Sequence, residues 1–298
     1  MAIISLASEL ILMSKKVEFA EYCEADMASV AKGQIIGVAF VLCKAKNAIH
    51  ISRIPPKRVI WLTQRSTSIF ERRMTSSQER TNTALIVVDV QNDFCKGGSL
   101  AVPDGDAVVD VINSLREKLS PATSLVCLTQ DWHPVGHVSF QSTHACQGAE
   151  LFKPFKLPDG TEQMMWPDHC VQCTKGSQFH DRLVVKGTDK LIKKGTDPNM
   201  DSYSAFFDND KAHHTDLDQI LKAAQITRVI IVGLAFDYCV GYTALDAVGL
   251  GYKAIVVEDA TRPVAPDSAS AMRKRLLDAG VELMSSGEVE RAATKEIV

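Results

Sequence analysis

The sequence predicts a doubly wound α/β sandwich: a mainly parallel six-stranded sheet with helices on both faces. Two observations carry this. From residue 84 onward, short β-branched runs alternate with helix-compatible segments, and such alternation implies parallel strands joined by crossover helices. Runs such as Leu85-Ile-Val-Val and Val229-Ile-Ile-Val-Gly also lack the in/out alternation of a half-exposed sheet, so both of their faces are covered.

Taken in order, Ala84–Val90 is an almost unbroken apolar run and reads as the first strand, followed by a helix over Asp106–Leu119. The second strand is Ser124–Thr129, where Cys127 sits among apolar neighbours as a small hydrophobe. Residues 132–190 carry few periodic signals and are rich in His, Cys, Trp and Pro. A loop of this length in a compact domain is usually functional. Leu191–Lys193 is the third strand, and Thr215–Ala224 a helix. The β-branched run Arg228–Leu234 forms the fourth strand, before a helix over Tyr238–Leu250. Lys253–Val257 and Val281–Met284 complete the sheet, separated by a helix over Asp267–Ala279 that Gly280 stops.

The regular part is assigned to an α/β domain over 81–298, and 1–80 to an N-terminal extension of unknown role. Between them the polar stretch Met74–Thr83 reads as a linker. With 46% hydrophobic and 23% charged residues, the 298-residue chain is neither disordered nor fibrous. Its net charge is −3 and no block of like charge occurs, which argues against a nucleic-acid partner. No apolar run reaches the roughly 18 residues of a membrane span, the nearest being Ile35–Cys43. The 8 cysteines are scattered, as in a protein of a reducing compartment, so a cytoplasmic location is expected; a secreted form stays open.

Ligands of open parallel sheets bind beyond the carboxyl ends of the strands. Four predicted strand ends bring reactive groups there: Asp89, Asp131-Trp-His133, Lys193-Lys194 and Ala235-Phe-Asp-Tyr-Cys239. Cys239 opens a helix, whose dipole favours a thiolate. Asp89 is placed to accept the thiol proton, Lys194 supplies positive charge, and the amides of Ala235 and Cys239 could cradle an oxyanion. Asp131 and His133 lie two apart on one face of an extended segment, and His169 supplies a third ligand of a metal site with open positions. His137 is an extra ligand or a partner behind one. Cys170-x-x-Cys173 has half the spacing of a zinc site, but no second pair follows, and it is read as incidental.

These motifs resemble the nicotinamidase branch of the isochorismatase-like cysteine hydrolases. The likeness rests on Ala-Leu-Ile-Val-Val-Asp89-Val-Gln-Asn-Asp-Phe94, Asp131-Trp-His133-Pro-Val-Gly-His, Trp166-Pro-Asp-His169-Cys, Lys194-Gly and Gly233-Leu-Ala-Phe-Asp-Tyr-Cys239. It covers residues 84 to 286. The resemblance implies attack of Cys239 on the carboxamide of nicotinamide, with Asp89 as proton carrier and Lys194 stabilising charge. It further implies a divalent metal, zinc first and iron or manganese next, held by Asp131, His133 and His169 and meeting the pyridine nitrogen. Phe94 and Trp166 would pack around the ring. The resemblance also implies a cis peptide bond before Phe236, a role in NAD salvage and a homo-oligomer of unspecified kind. Three alternatives are weighed: a metal-independent amidohydrolase of the same superfamily, a non-haem iron oxygenase, and a non-enzymatic binding protein on this scaffold.

Overall fold

In the computed structural model, residues 82–120 and 122–297 are described, and the extension read over 1–80 lies outside them. The elements in chain order are β1 (Thr83–Val88), α1 (Ala107–Lys118), β2 (Thr123–Asp131), α2 (Gln141–His144), β3 (Pro154–Lys156), β4 (Glu162–Met164), β5 (Lys190–Lys194), α3 (Leu217–Ala223), β6 (Arg228–Leu234), α4 (Gly241–Gly249), β7 (Lys253–Arg262), α5 (Pro266–Asp278), β8 (Glu282–Met284) and α6 (Ser286–Ile297). Six strands form one sheet in the order β5-β2-β1-β6-β7-β8. Every pairing in it is parallel, as the alternation of strands and helices requires.

The unbroken apolar strands are buried on both faces. On β1, Leu85 and Val87 face a cluster with Val108, Val109, Ile112 and Leu115 of α1 and Val289 of α6. Ala84, Ile86 and Val88 face the other side, packed with Leu217 and Leu221 of α3, Ala244 and Ala247 of α4, and Met272 and Leu276 of α5. Each large aliphatic side chain so enclosed contributes about 1.5–3 kcal/mol, which is why these runs hold the sheet without any polar alternation.

The chain leaves β1 towards β2 and β5, then returns to build β6, β7 and β8 on the opposite side. The reversal lies between β1 and β6, and a crevice opens at their carboxyl ends. Gly233 lets these two strands approach closely: its φ is +113°, and a Cβ there would lie 2.0 Å from the Val88 carbonyl oxygen.

Several elements depart from expectation. The segment 132–190 contains α2 and the antiparallel hairpin β3–β4, both too short and polar to announce themselves by periodicity. β7 continues to Arg262, beyond the expected end at Val257, after a register shift against β6. The helix expected from Tyr238 begins as a π-type turn over Phe236–Val240, closed by Val240 N–H to Ala235 C=O at 3.1 Å, and only then becomes α4. The cis bond expected before Phe236 lies one step earlier, at Leu234–Ala235, because Ala235 carries the bend out of β6 and Phe236 already belongs to the turn. No helix among the described residues is long and apolar enough to cross a membrane.

Candidate active site

The four strand ends converge as their topology demands. Asp89 follows β1, Asp131 closes β2, Lys194 closes β5, and Cys239 stands in the turn after β6. The Lys194 side chain is completely buried at their centre. Its ammonium group donates to Asp131 Oδ1 in a very short contact, to the Ser202 carbonyl at 2.8 Å and to Cys239 Sγ at 3.3 Å. With three N–H groups so directed, Asp89 Oδ2, 3.0 Å from Nζ, receives positive charge but no well-directed hydrogen bond. Asp89 Oδ1 accepts from Thr129 at 2.5 Å. Ligand atoms of Asp89, Asp131 and Cys239 lie within 4.8 Å of one another.

The electrostatics assign a resting state. Burial pushes the Asp89 carboxyl above its usual range; the Lys194 charge opposes this and Asp131 adds to it. Burial likewise drives the Cys239 thiol well above its usual range, and the pull of Lys194 does not cancel burial together with two nearby carboxylates. Burial thus favours the thiol form of Cys239, because a fully enclosed anion beside Asp89 and Asp131 costs more than the lysine recovers. Asp89 Oδ2, the carboxylate oxygen without a hydrogen bond, lies 3.0 Å from the Lys194 ammonium that also meets Cys239 Sγ at 3.3 Å.

Asp131, His133 and His169 form a second cluster, buried throughout. Asp131 Oδ2 lies 3.6 Å from His133 Nε2 and 3.9 Å from His169 Nε2. Such separations suit donor atoms each about 2 Å from a shared centre. Both imidazoles have their other nitrogen engaged, His133 Nδ1 with the Gly195 carbonyl at 2.8 Å and His169 Nδ1 with the Pro167 carbonyl at 2.7 Å. Those bonds place the proton on Nδ1 and aim the Nε2 lone pair inward, the usual support of a metal-binding histidine. Burial lowers His169 to about 4, so its ring is neutral. Burial works to lower His133, but the Asp131 carboxylate, Asp201 and the Gly195 carbonyl together raise it. The donor set therefore fits a divalent cation, whose charge would balance two carboxylates facing one lysine.

His137 packs behind this cluster, its ring stacked on His133 at 4.1 Å. Its nitrogens are taken up by Ser139 Oγ at 2.8 Å and the Met200 carbonyl at 3.1 Å, so it supports and does not complete the set. Cys170 is buried and Cys173 exposed, and neither joins a donor cluster among the described residues. A further group, Cys95, Asp106 and His180, is closed on itself. His180 Nδ1 accepts the Arg182 amide, which leaves the ring proton on Nε2 facing Asp106 at 3.3 Å.

The two clusters share one cavity of about 410 Å³ including its mouth, lined by Phe94, Trp166, Tyr203 and Tyr238 with Asp131, His169 and Cys239. Phe94 lies 5.5 Å from the His169 ring, and Trp166 meets Tyr238 edge-on at 4.9 Å. Four aromatic rings line the cavity, a lining suited to a planar ring.

The isochorismatase domain family matches residues 83–288. This chain belongs to the isochorismatase domain family. It is 49% identical over 181 residues to a nicotinamidase of Escherichia coli, a match covering 61% of this chain and 83% of that relative. Among solved structures it is similar to the nicotinamidase/pyrazinamidase of Acinetobacter baumannii, at 39% identity and TM-score 0.66, covering 71% of this chain and 100% of that one. It is also similar to the pyrazinamidase of Pyrococcus horikoshii in complex with zinc, at 32% identity and TM-score 0.58, covering 68% and 99%.

Within this isochorismatase domain, Phe94, Asp131, Trp166, His169, Ala235 and Cys239 line the cavity, while Asp89, His133 and Lys194 are buried and reach it through Asp131 and Cys239; several residues that hold them there were not singled out. Gln91 clamps Asp131 from both sides: its Nε2 donates to the Asp131 carbonyl and its Oε1 accepts the Asp131 amide, each at 2.8 Å. Asp237 fastens the turn that carries Cys239 by accepting from the Val264 and Ala265 amides at 2.8 and 3.1 Å and from Ser268 Oγ at 2.5 Å. Tyr203 and Tyr238 line the cavity from loop and turn. The signal available for Gln91 was a polar side chain directly after a buried strand. For Tyr203, in the loop after β5, none existed.

 Its place is set by the buried turn that follows Asp201, which no local pattern announces.

Proposed function

We propose that this chain hydrolyses nicotinamide to nicotinate and ammonia through a thioester on Cys239, a step that feeds NAD salvage. The observation that carries the reading is the unbonded Oδ2 of Asp89, buried 3.0 Å from the Lys194 ammonium that also meets, at 3.3 Å, the sulfur of Cys239 in the lining of an aromatic cavity. Asp89 Oδ2 takes the thiol proton as Sγ attacks the carboxamide carbon. The amides of Ala235 and Cys239 receive the developing oxyanion, and Lys194 holds Asp89 and the sulfur in a field that favours their negative forms. Asp89 then gives its proton to the departing nitrogen, so that ammonia leaves as the C–N bond breaks and the thioester remains. Water, deprotonated by the same carboxylate, attacks the thioester; the C–S bond breaks, the thiol regains its proton, and nicotinate leaves.

Phe94 and Trp166 face the ring and exclude water from it. Asp131, His133 and His169 would hold a divalent metal, which supplies a Lewis-acid contact for the pyridine nitrogen and so orients the ring. Zinc is the first choice, supported by the donor types and by the zinc complex of the Pyrococcus horikoshii relative, with iron and manganese as alternatives. The test is ammonia release from nicotinamide by the purified chain, by a chelator-stripped sample and by one with zinc restored. Release that falls on stripping and returns with metal is expected. Absence of release from folded, metal-loaded protein refutes the reading, and release indifferent to stripping refutes the role given to the metal.

A further inference from the structure

We propose that Thr129 is a positioning residue for the base: its hydroxyl fixes Asp89 so that Oδ2 is the oxygen presented to Cys239. This rests on the reading of Asp89 as the proton acceptor. Thr129 lies on β2 beside the carboxyl end of β1 and is fully buried, as is Asp89. Two hydrogen bonds join them. Thr129 Oγ1 donates to Asp89 Oδ1 at 2.5 Å, and the Asp89 amide donates to the same Oγ1 at 3.1 Å.

One hydroxyl thus holds the residue at both ends. The backbone of Asp89 has φ +46°, a conformation few residues with a Cβ adopt, and the amide bond to Thr129 is one of the contacts that keep it there. The carboxylate would otherwise turn freely about its last torsion, whose preference is broad. With Oδ1 tied down, the plane of the group is set and Oδ2 is left without a hydrogen bond, facing the lysine and the thiol. The β-branched side chain of Thr129 is itself stiff at χ1, so the hydroxyl is a fixed post. A residue that merely satisfied buried polar groups would act on stability whatever its neighbour was. A positioning residue acts on the rate, and only through Asp89.

The experiment measures kcat and KM for nicotinamide in Thr129→Val, Thr129→Ser, Asp89→Asn and the Thr129→Val/Asp89→Asn double variant, with folding checked by circular dichroism. Thr129→Val is expected to lower kcat about tenfold to a hundredfold, part of the 10²–10⁴ that a general base supplies, with KM changed less than about twofold. Thr129→Ser, which keeps the hydroxyl, restores most of the rate. On the Asp89→Asn background the valine change leaves the residual rate where it is, since no base remains to be positioned. Wild-type kcat in Thr129→Val beside a disabled Asp89→Asn overturns the positioning role alone, as does an equal loss on both backgrounds. Wild-type activity in Asp89→Asn overturns the base reading and this proposal with it.

Discussion

Replacing Gly233 by alanine perturbs the seam on which the whole site is built. Gly233 pairs with Val88 across β1 and β6, its φ is +113°, and a Cβ would fall 2.0 Å from the Val88 carbonyl oxygen and 2.7 Å from its nitrogen. Both atoms are backbone in a fully paired strand, so neither side can yield as a flexible side chain would. Holding alanine at this φ costs about 1–3 kcal/mol, and forcing the strands apart costs about 1–3 kcal/mol more. The expected loss of stability is therefore about 2–6 kcal/mol. With a urea slope of about 2 kcal/mol per molar, the unfolding midpoint should fall by about 1–3 M. The same displacement separates Asp89, one residue beyond Val88, from the turn that carries Cys239, so kcat should drop even in the fraction that folds. Urea unfolding followed by circular dichroism, with ammonia release on the same preparation, measures both. A midpoint within about 0.3 M of wild type together with unchanged kcat would refute the close-approach argument.

Further outcomes follow from the charges. Asp89 must be ionised to accept the thiol proton and burial raises its pKa, so kcat/KM should show an acid limb. It should fall as pH drops through a value above the ordinary aspartate range. A pH profile whose acid limb lies at or below that range contradicts the assignment. Removing His169 with alanine should weaken metal retention by more than about a hundredfold, exceeding what loss of a supporting partner does, as read by metal content after dialysis; full retention would exclude it from the donor set. Far from the site, Arg116 and Asp189 form a two-point ion pair at 2.6 and 2.9 Å with both side chains almost wholly enclosed. Arg116→Met strands a buried carboxylate and should cost about 3–5 kcal/mol in urea unfolding while leaving kcat per folded molecule unchanged. A cost below about 1 kcal/mol would show that Asp189 finds water or another partner.

Most of the sheet was legible because both-face burial writes itself into sequence as continuous β-branched runs, of which Arg228–Leu234 is the plainest, with bounds that agree at both ends. The strand-end residues Asp89, Asp131, Lys194 and Cys239 were legible for a related reason: a charged or thiol side chain at the end of such a run has few structural uses. Loop elements were less so. The hairpin β3–β4 is held by its pairing and by Gln163 reaching Asp201 at 2.8 Å, a contact 38 residues apart that no local pattern announces. Thr129 was counted only as the last residue of a strand, because its role depends on β1 and β2 lying side by side. The electrostatics of Cys239 were legible only in part for the same reason: the helix dipole is local and visible, whereas burial and the two carboxylates beside the thiol exist only in the folded chain.

The central claim is that Cys239 is the nucleophile of an amide hydrolysis carried out at this cavity. Its most direct test is ammonia release from nicotinamide by Cys239→Ala, compared with wild-type protein of matched metal content. Wild-type protein should release ammonia and the variant none above background, while the variant still binds nicotinate. Release by Cys239→Ala at a rate comparable to wild type would contradict the account.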